Sequence, residues 1–311
     1  MKLLITGGFG YLGSWLTDYF CDKRYDVSVL SHSSSVSYDP RVQLFRANLE
    51  DAGELESVLK QKFDCCIHAG SINDSFVSDY ARKALLVNAL GTRNIIGALI
   101  KNGIQRFVYL STFHVYGASE GVVSESSPLL PVNDYGITHL FGEYYVKQFH
   151  KTHGLPFTII RPTNGYGAPK QIGSTKWYLL LNDLVRSAFE KGVIALSSNG
   201  RAYRDFIWLG DICRIVDALL VSYRAEGATY NVSTGCSHRL IDIAEIVKEV
   251  YSDRYKKEIN ISTNSMDQRD YSPITVSNDL LMETVKFQFQ DRLKDEVCKI
   301  FDLLEKGVDR K

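Results

Sequence analysis

The sequence predicts an α/β fold, in which a doubly wound parallel sheet carries helices on both faces and a smaller α/β lobe follows. Short apolar runs typical of strands recur near residues 26–30, 43–46, 63–68, 105–111 and 156–161. The segments between them place apolar residues at helical spacing, most clearly at 88–101 and 139–149. This alternation is typical of parallel strands joined by crossover helices. Ligands are then expected at the carboxyl ends of the strands.

A glycine-rich turn follows the first strand, the apolar run at residues 3–5. It contains Gly7, Gly8, Gly10 and Gly13, and an amphipathic helical segment comes directly after it. Gly8, Gly10 and Gly13 fit the dinucleotide spacing, and Gly7, Gly10 and Gly13 fit a related spacing of three residues. Because a strand precedes the turn and a helix follows it, the pattern predicts a Rossmann-type dinucleotide site with the pyrophosphate at the helix N-terminus. A tight structural turn is the alternative.

The pattern loosens after residue 162 and predicts a second lobe. We expect a dinucleotide-binding domain at 1–165 and a substrate-binding lobe at 166–311, with the chain crossing between them. Residues 163–178 are rich in Gly, Thr, Asn and Lys, which indicates a loop over the site. Predicted helices cover about 177–191 and begin near Asp211, Asp242 and Asp291, with short strands near 228–232 and 258–263.

Composition narrows the possible partners and compartment. The chain has 36 basic and 36 acidic residues, so no net charge favours nucleic acid or a membrane surface. No apolar run approaches about 18 residues, and the first strand begins without a leader, so neither a membrane span nor export is expected. Six cysteines lack the spacing of a disulfide framework or a metal site. We therefore expect a cytoplasmic protein without a metal.

Six further segments carry a resemblance to a known family. They are Asn88-Ala-Leu-Gly91-Thr, Thr112 three residues before Val115-Tyr116-Gly117, Tyr135-Gly-Ile-Thr-His139, Arg161-Pro-Thr-Asn164-Gly-Tyr-Gly, and the arginine segments Tyr203-Arg204-Asp205-Phe206-Ile207 and Gln268-Arg269-Asp270. With the glycine turn, they resemble the extended short-chain dehydrogenase/reductase family, of the nucleotide-sugar epimerase, dehydratase and reductase type. The resemblance covers nearly the whole chain. It implies an NAD(P)-dependent enzyme that transfers hydride at a sugar carbon, most often C4, and a role in polysaccharide biosynthesis.

The resemblance implies three catalytic residues, Thr112, Tyr135 and His139. The phenol of Tyr135 would act as base or acid on a sugar hydroxyl, and the Thr112 hydroxyl would bond the same oxygen. A phenol has an ordinary pKa near 10, so family enzymes assist it with the cofactor and a lysine four residues on. Here that residue is His139. An imidazole supplies little positive field, so either His139 bonds the ribose in a slower enzyme with a more alkaline optimum, or catalysis has been lost and binding kept.

The family pattern also implies a set of cofactor-binding residues: Gly7, Gly10, Tyr11, Leu12, Gly13, Ser31, His32, Asn48, Leu49, Ala69, Asn88, Tyr135 and His139. Ser31-His32-Ser33 follows the second strand, at 27–30, and Ser31 stands where an acidic residue would select NAD. Hydroxyls and an imidazole there suit a 2′-phosphate, although no arginine follows until Arg41. The sequence therefore inclines to NADP over NAD.

The implied substrate is a nucleoside-diphosphate sugar, held by Thr112, His114, Asn164, Lys176, Arg204 and Arg269. The two arginines would clamp the diphosphate; ion pairs with Asp205 and Asp270 are the alternative. Phe113-His114 stands where dehydratases of the family carry Asp-Glu, so water elimination is disfavoured. His114 is either a pocket-lining residue or a single base.

An epimerase, a 4-keto-sugar reductase and a catalytically impaired NADP(H)-binding sensor all remain open at this point. A homodimer through the helices at 88–101 and 139–149 is also expected, with core packing as the alternative. Its apolar candidates are Ala98, Leu99, Phe141, Tyr144, Tyr145 and Phe149.

Overall fold

The first lobe is built on a seven-stranded parallel sheet. A computed structural model describes residues 1–32, 39–73, 78–170, 172–222 and 225–308. In chain order the strands are β1 (Lys2–Thr6), β2 (Asp26–Ser31), β3 (Gln43–Arg46), β4 (Cys65–His68), β5 (Arg106–Leu110), β6 (Gly121–Val123), β7 (Phe157–Pro162), β8 (Asn164–Tyr166), β9 (Val193–Ala195), β10 (Tyr203–Trp208), β11 (Ala228–Val232), β12 (Ser237–Arg239), β13 (Asn260–Ser262) and β14 (Ile274–Val276). The sheet runs β3-β2-β1-β4-β5-β7-β11, so the predicted doubly wound order is confirmed.

The helices are α1 (Tyr11–Asp22), α2 (Ala52–Val58), α3 (Tyr80–Ala84), α4 (Gly91–Ile100), α5 (Asp134–His153), α6 (Leu180–Lys191), α7 (Leu209–Leu220), α8 (Leu240–Tyr255), α9 (Asp279–Thr284) and α10 (Leu293–Val308). A wider π-helical segment, Leu85–Leu90, joins α3 to α4. The predicted helix at 139–149 begins five residues earlier than expected, because the Asn133 side chain accepts a hydrogen bond from Gly136 N and caps it.

Apolar side chains cover both faces of the sheet. On one face, Leu16 and Phe20 of α1 pack with Ile212 and Ile215 of α7. On the other, α2, α4 and α5 contribute a second buried cluster. Burial on both faces explains why β1 and β4 contain continuous apolar runs rather than an alternation of apolar and polar residues.

The second lobe has its own core between α6, α8 and α10, with the short β8–β10–β12 and β9–β13 sheets beside it. The chain crosses back after residue 166, since α7 packs on α1 and β11 forms the last strand of the main sheet. Residues 209–220 and 228–232 thus lie with the first lobe, although both follow the expected boundary at 165. The described helices include none with the length and apolarity needed to cross a bilayer.

Candidate active site

A cavity of about 400 Å³ opens where β1, β4, β5 and β7 end, and the second lobe closes its far side. It is lined by many of the predicted residues: Gly10, Tyr11, Leu12, Gly13, Ala69, Thr112, His114, Tyr135, His139, Asn164, Lys176 and Arg204. Other predicted residues lie outside this lining, namely Gly7, Ser31, His32, Asn48, Leu49, Asn88 and Arg269. The candidate Ser33 lies outside the described residues.

The glycine turn forms one end of the cavity. Gly7 has a positive φ of 64°, a backbone conformation that residues with a Cβ atom rarely adopt. A Cβ at Gly13 would stand only 2.0 Å from the Gly7 carbonyl oxygen, so the first turn of α1 can pack on the loop only with glycine there. Gly10 caps α1 without a side-chain hydrogen bond. The helix N-terminus is therefore open to an anionic group, as a dinucleotide pyrophosphate requires.

Asn88 and Asn48 are engaged in structural contacts. The Asn88 amide accepts a hydrogen bond from Ile72 N at 2.8 Å and donates to the Thr138 hydroxyl at 3.1 Å. Asn88 therefore ties the loop after β4 to α5 from behind the cavity. The Asn48 side chain is exposed and accepts from Glu50 N. Contact with an adenine by Asn48 stays a prediction.

Tyr135 and Thr112 meet inside the cavity. Burial raises the pKa of the Tyr135 phenol well above its ordinary value, and interaction with the Thr112 side chain opposes part of that rise. Two features bring them together. Thr112 caps the short turn after β5 by accepting a hydrogen bond from His114 N at 3.2 Å. Gly136 lets the start of α5 approach that turn, since a Cβ there would lie 2.6 Å from the His114 carbonyl oxygen.

His139 is buried beside the phenol, with its ring centre 4.4 Å from that of Tyr135. Its Nδ1 lies 3.1 Å from the Tyr109 hydroxyl, while Nε2 is buried without a hydrogen-bond partner among the described residues. Burial lowers the pKa of His139 to about 3, with smaller contributions from His68 and His114. The imidazole is therefore neutral at pH 7 and places no charge next to Tyr135.

Beneath the site, a buried ion pair joins α5 to β7. Arg161 donates to both carboxylate oxygens of Glu143, at 2.8 and 2.6 Å, and also to the Tyr116 hydroxyl at 2.7 Å. Ser111 donates to the same carboxylate at 2.6 Å. The sequence prediction missed Glu143 and Ser111 as site-building residues. A glutamate in an otherwise apolar stretch of α5 was the available signal, because an unpaired buried charge is not tolerated.

The second lobe contributes Arg204, Lys176 and Asn164. The Arg204 guanidinium donates to the Tyr203 carbonyl and has no ion pair within the described ranges, since Asp205 is instead buried against Thr163 and Thr234. Lys176 donates to the Asn73 carbonyl at 3.2 Å, across the cavity from its own lobe. His114 lies at the rim of the cavity, where partial burial and the Arg204 guanidinium lower its pKa.

Arg269 is not brought to the cavity. Its guanidinium is 71% exposed and pairs with Asp267 through two contacts of 2.8 and 3.0 Å. The expected alternative partner, Asp270, is not the one used. Asn199 fixes this segment by donating to the backbone carbonyls of Asp267 and Arg269.

The dimer candidates divide into two groups. Ala98 and Leu99 are buried in the core behind the sheet, and Tyr145 and Phe149 are partly buried. Phe141 and Tyr144 are exposed by 44% and 56%.

Three comparisons with known proteins bear on the family and the fold. Residues 3–233 match the family described as the NAD dependent epimerase/dehydratase family. A dTDP-glucose 4,6-dehydratase of Actinoplanes sp. is 27% identical over 267 residues, covering 80% of this chain and 81% of that protein. The structure also superposes on a UDP-glucose 4-epimerase of Thermotoga maritima with UDP-glucose, with a TM-score of 0.85, 19% identity and coverage of 99% and 100%. A UDP-glucuronic acid 4-epimerase of Bacillus cereus with UDP-glucuronic acid and NAD gives a TM-score of 0.82, 21% identity and coverage of 98% and 99%. At these identities the two structures share the fold.

Proposed function

The chain belongs to the NAD dependent epimerase/dehydratase family, and from this premise we propose that it exchanges hydride at C4 of a nucleoside-diphosphate sugar as an epimerase. The observation that carries the proposal is the pair of interacting side chains Thr112 and Tyr135, which both line a cavity that begins at the glycine turn. A hydroxyl pair of this kind can orient a sugar hydroxyl and take its proton.

A nicotinamide dinucleotide fits the residues present. The turn at Gly7 and Gly13 has no room for a side chain and leaves the N-terminus of α1 open to a pyrophosphate. Further along the cavity, the buried Nε2 of His139 has no hydrogen-bond partner among the described residues, and a ribose hydroxyl would supply one. When bound, the nicotinamide accepts hydride from the sugar carbon and returns it.

The chain's own residues handle the proton. Thr112 orients the reacting hydroxyl, and Tyr135 accepts its proton and gives it back. Burial raises the pKa of Tyr135, and the neutral His139 imidazole supplies no positive charge that would assist the phenol. We therefore expect turnover to rise with pH through the neutral range.

On the substrate side, Arg204 is the cation placed to hold the diphosphate, because it lines the cavity and is not paired with a carboxylate in the described structure. Asn164 and Lys176 line the same wall and would contact the phosphate or sugar. The clamp rests on Arg204 rather than Arg269, whose guanidinium is held by Asp267. The structural relatives above bind UDP-sugars, which supports a uridine nucleotide here.

For the cofactor we propose NAD, since the inclination to NADP finds no support. Arg41, the first arginine after β2, is held by Asp39 and by Asp22 at 2.6 Å, so it is not available for a 2′-phosphate. Arg46 on β3 is the register partner of Ser31, so it is the arginine to test for an effect on NADPH binding. If NADPH instead bound more tightly than NADH, and Arg46→Ala removed the difference, the assignment to NAD would be wrong.

A homodimer is part of the proposal. Phe141 and Tyr144 are exposed apolar residues of α5, and Leu85, 45% exposed, lies on the neighbouring π-helical segment. A Phe141→Glu variant is expected to be monomeric in sedimentation velocity while the parent protein is dimeric. A monomeric parent protein would contradict this.

Two measurements test the function. Heat denaturation of the purified protein should release about one equivalent of NAD(H), as expected of an epimerase that retains its cofactor. Incubation with UDP-, GDP-, CDP- and dTDP-sugars should convert a UDP-sugar to its C4 epimer without added cofactor, and Thr112→Val should abolish this. An empty site with NADPH-dependent reduction of a 4-keto sugar would identify a reductase instead, and no turnover with any sugar would refute the enzyme.

A further inference from the structure

Tyr109, which no motif singles out, lies directly behind His139. It stands on β5 with 1% of its surface exposed. Its hydroxyl is 3.1 Å from His139 Nδ1 and 3.3 Å from the His139 backbone carbonyl. That carbonyl lies within α5 and is the longer contact. The shorter contact, to Nδ1, is therefore the better acceptor for the single phenolic proton.

The helix is open at the point where this hydroxyl arrives. Gly142 follows His139 by one turn of α5, and a Cβ there would lie 2.1 Å from the Tyr109 hydroxyl oxygen. Glycine inside a helix is less favourable than alanine, because it loses more conformational freedom on folding. The glycine therefore has a local purpose, because any side chain would exclude the hydroxyl from the imidazole.

A row of uncharged hydrogen bonds fixes the Tyr109 ring from its other side. His68 stacks on that ring with 5.8 Å between ring centres. The Thr92 hydroxyl donates to the Asn88 carbonyl at 2.6 Å, so it can only accept from His68 Nε2, 3.1 Å away. His68 Nδ1 then accepts from the Thr6 hydroxyl at 2.6 Å. Each proton in this row is assigned to one acceptor, and no member carries charge.

With Nδ1 engaged, only one nitrogen of His139 is left for a ligand. Nε2 is buried in a side chain that is 2% exposed, and it has no partner in the described part of the chain. A buried nitrogen without a partner is costly, and a hydroxyl of a bound molecule would satisfy it. The residue lines the cavity at the end of β5 together with Thr112 and Tyr135.

We propose that Tyr109 is a positioning residue, which donates its proton to Nδ1 and so fixes His139 as the Nε2–H tautomer, an uncharged donor to a ribose hydroxyl of the dinucleotide. The ribose part of this inference rests on the proposed function. The tautomer part concerns the protein alone. His139, which stands where the family has a lysine, thus retains a hydrogen-bond donor but lacks the positive charge.

The test uses ¹⁵N-histidine NMR of the full-length protein without dinucleotide or sugar, with His139→Gln to assign the signals. We expect a protonated, pyrrole-type Nε2 and a pyridine-type Nδ1 at His139, unchanged from pH 5 to pH 9. In Tyr109→Phe the two tautomers should mix, and NADH affinity should fall about tenfold, as for one lost hydrogen bond. Tyr251→Phe, the same change on α8 in the core of the second lobe and outside the cavity lining, should alter neither.

Gly142→Ala provides a second route, because it displaces the hydroxyl without removing it, and it should reproduce both effects of Tyr109→Phe. A protonated Nδ1 in the parent protein would overturn the proposal. So would Tyr109→Phe and Gly142→Ala variants that fold, as judged by circular dichroism, and keep the parent's tautomer and NADH affinity. The expected tautomer without any sugar turnover would refute the proposed function and leave this inference standing.

Discussion

Replacing His139 by lysine should speed the reaction near pH 7. The present imidazole is neutral, because burial lowers its pKa to about 3, and the phenol of Tyr135 is hard to ionise because burial raises its pKa. A lysine ammonium at position 139 would stand next to the developing phenolate. The centres of the present rings are 4.4 Å apart, which sets the scale of that distance.

The size of the effect follows from Coulomb's law. Opposite unit charges about 4 Å apart attract by about 4 kcal/mol at an effective dielectric constant of about 20. Desolvation of the buried ammonium offsets part of this attraction. If about half remains, the fraction of phenolate at pH 7 rises about ten- to a hundredfold. Turnover at pH 7 should rise by a similar factor, and the alkaline rise of the rate should move to lower pH.

The assay is the pH dependence of kcat for C4 epimerisation, measured for the parent protein, His139→Lys and His139→Gln. Glutamine keeps an uncharged donor, so its profile should stay close to that of the parent protein. The reasoning is refuted if His139→Lys folds and binds NADH, yet keeps the parent's pH profile or turns over more slowly at pH 7.

Three other predictions concern stability and substrate binding. Glu143→Gln should lower the free energy of unfolding by about 3–5 kcal/mol in urea denaturation, because it leaves the Arg161 guanidinium buried without its carboxylate partner. Adding Arg161→Met should recover part of this loss, and purely additive losses would contradict the pairing. The free energy of unfolding should fall as the pH drops from about 6.5 toward 3, because burial lowers the pKa values of His68 and His139 to about 3, so that both take up a proton only on unfolding. Each histidine contributes up to about 1.4 kcal/mol per pH unit, and a flat stability profile over this range would be inconsistent with neutral buried imidazoles. Arg204→Ala should raise the KM for the UDP-sugar about ten- to a hundredfold, whereas Arg269→Ala should change it less than about threefold. Equal effects of the two variants would show that both arginines hold the diphosphate.

The fold was predictable where its signals are local. Apolar strand runs, the glycine turn and the spacing within α1 are each visible in a short window of sequence, and the parallel order follows from their alternation. The place of β11 was not visible in this way. Its pairing with β7 joins segments about 70 residues apart in sequence, and a short apolar run does not indicate which sheet it joins.

The same division applies to the candidate site. The approach of Tyr135 to Thr112 was implied by the family resemblance, whose motifs are each visible in a short stretch of sequence. By contrast, the carboxylate that holds Arg269 is Asp267 and not its neighbour Asp270, because Asn199 from another loop sets the backbone there. The sequence did not indicate a role for Tyr109, because that role depends on a contact between two elements. The Tyr109 side chain on β5 reaches His139 only because Gly142 on α5 has no side chain.

The most direct test of the central claim is the absorbance at 340 nm when NAD-loaded protein is mixed with a UDP-sugar in a single turnover. The hydroxyl pair Thr112–Tyr135 beside a bound nicotinamide predicts a transient rise, as hydride leaves the sugar, followed by a fall. Tyr135→Phe should retain NAD and show no rise. A parent protein that retains no dinucleotide, or a Tyr135→Phe variant with an undiminished transient, would contradict the account.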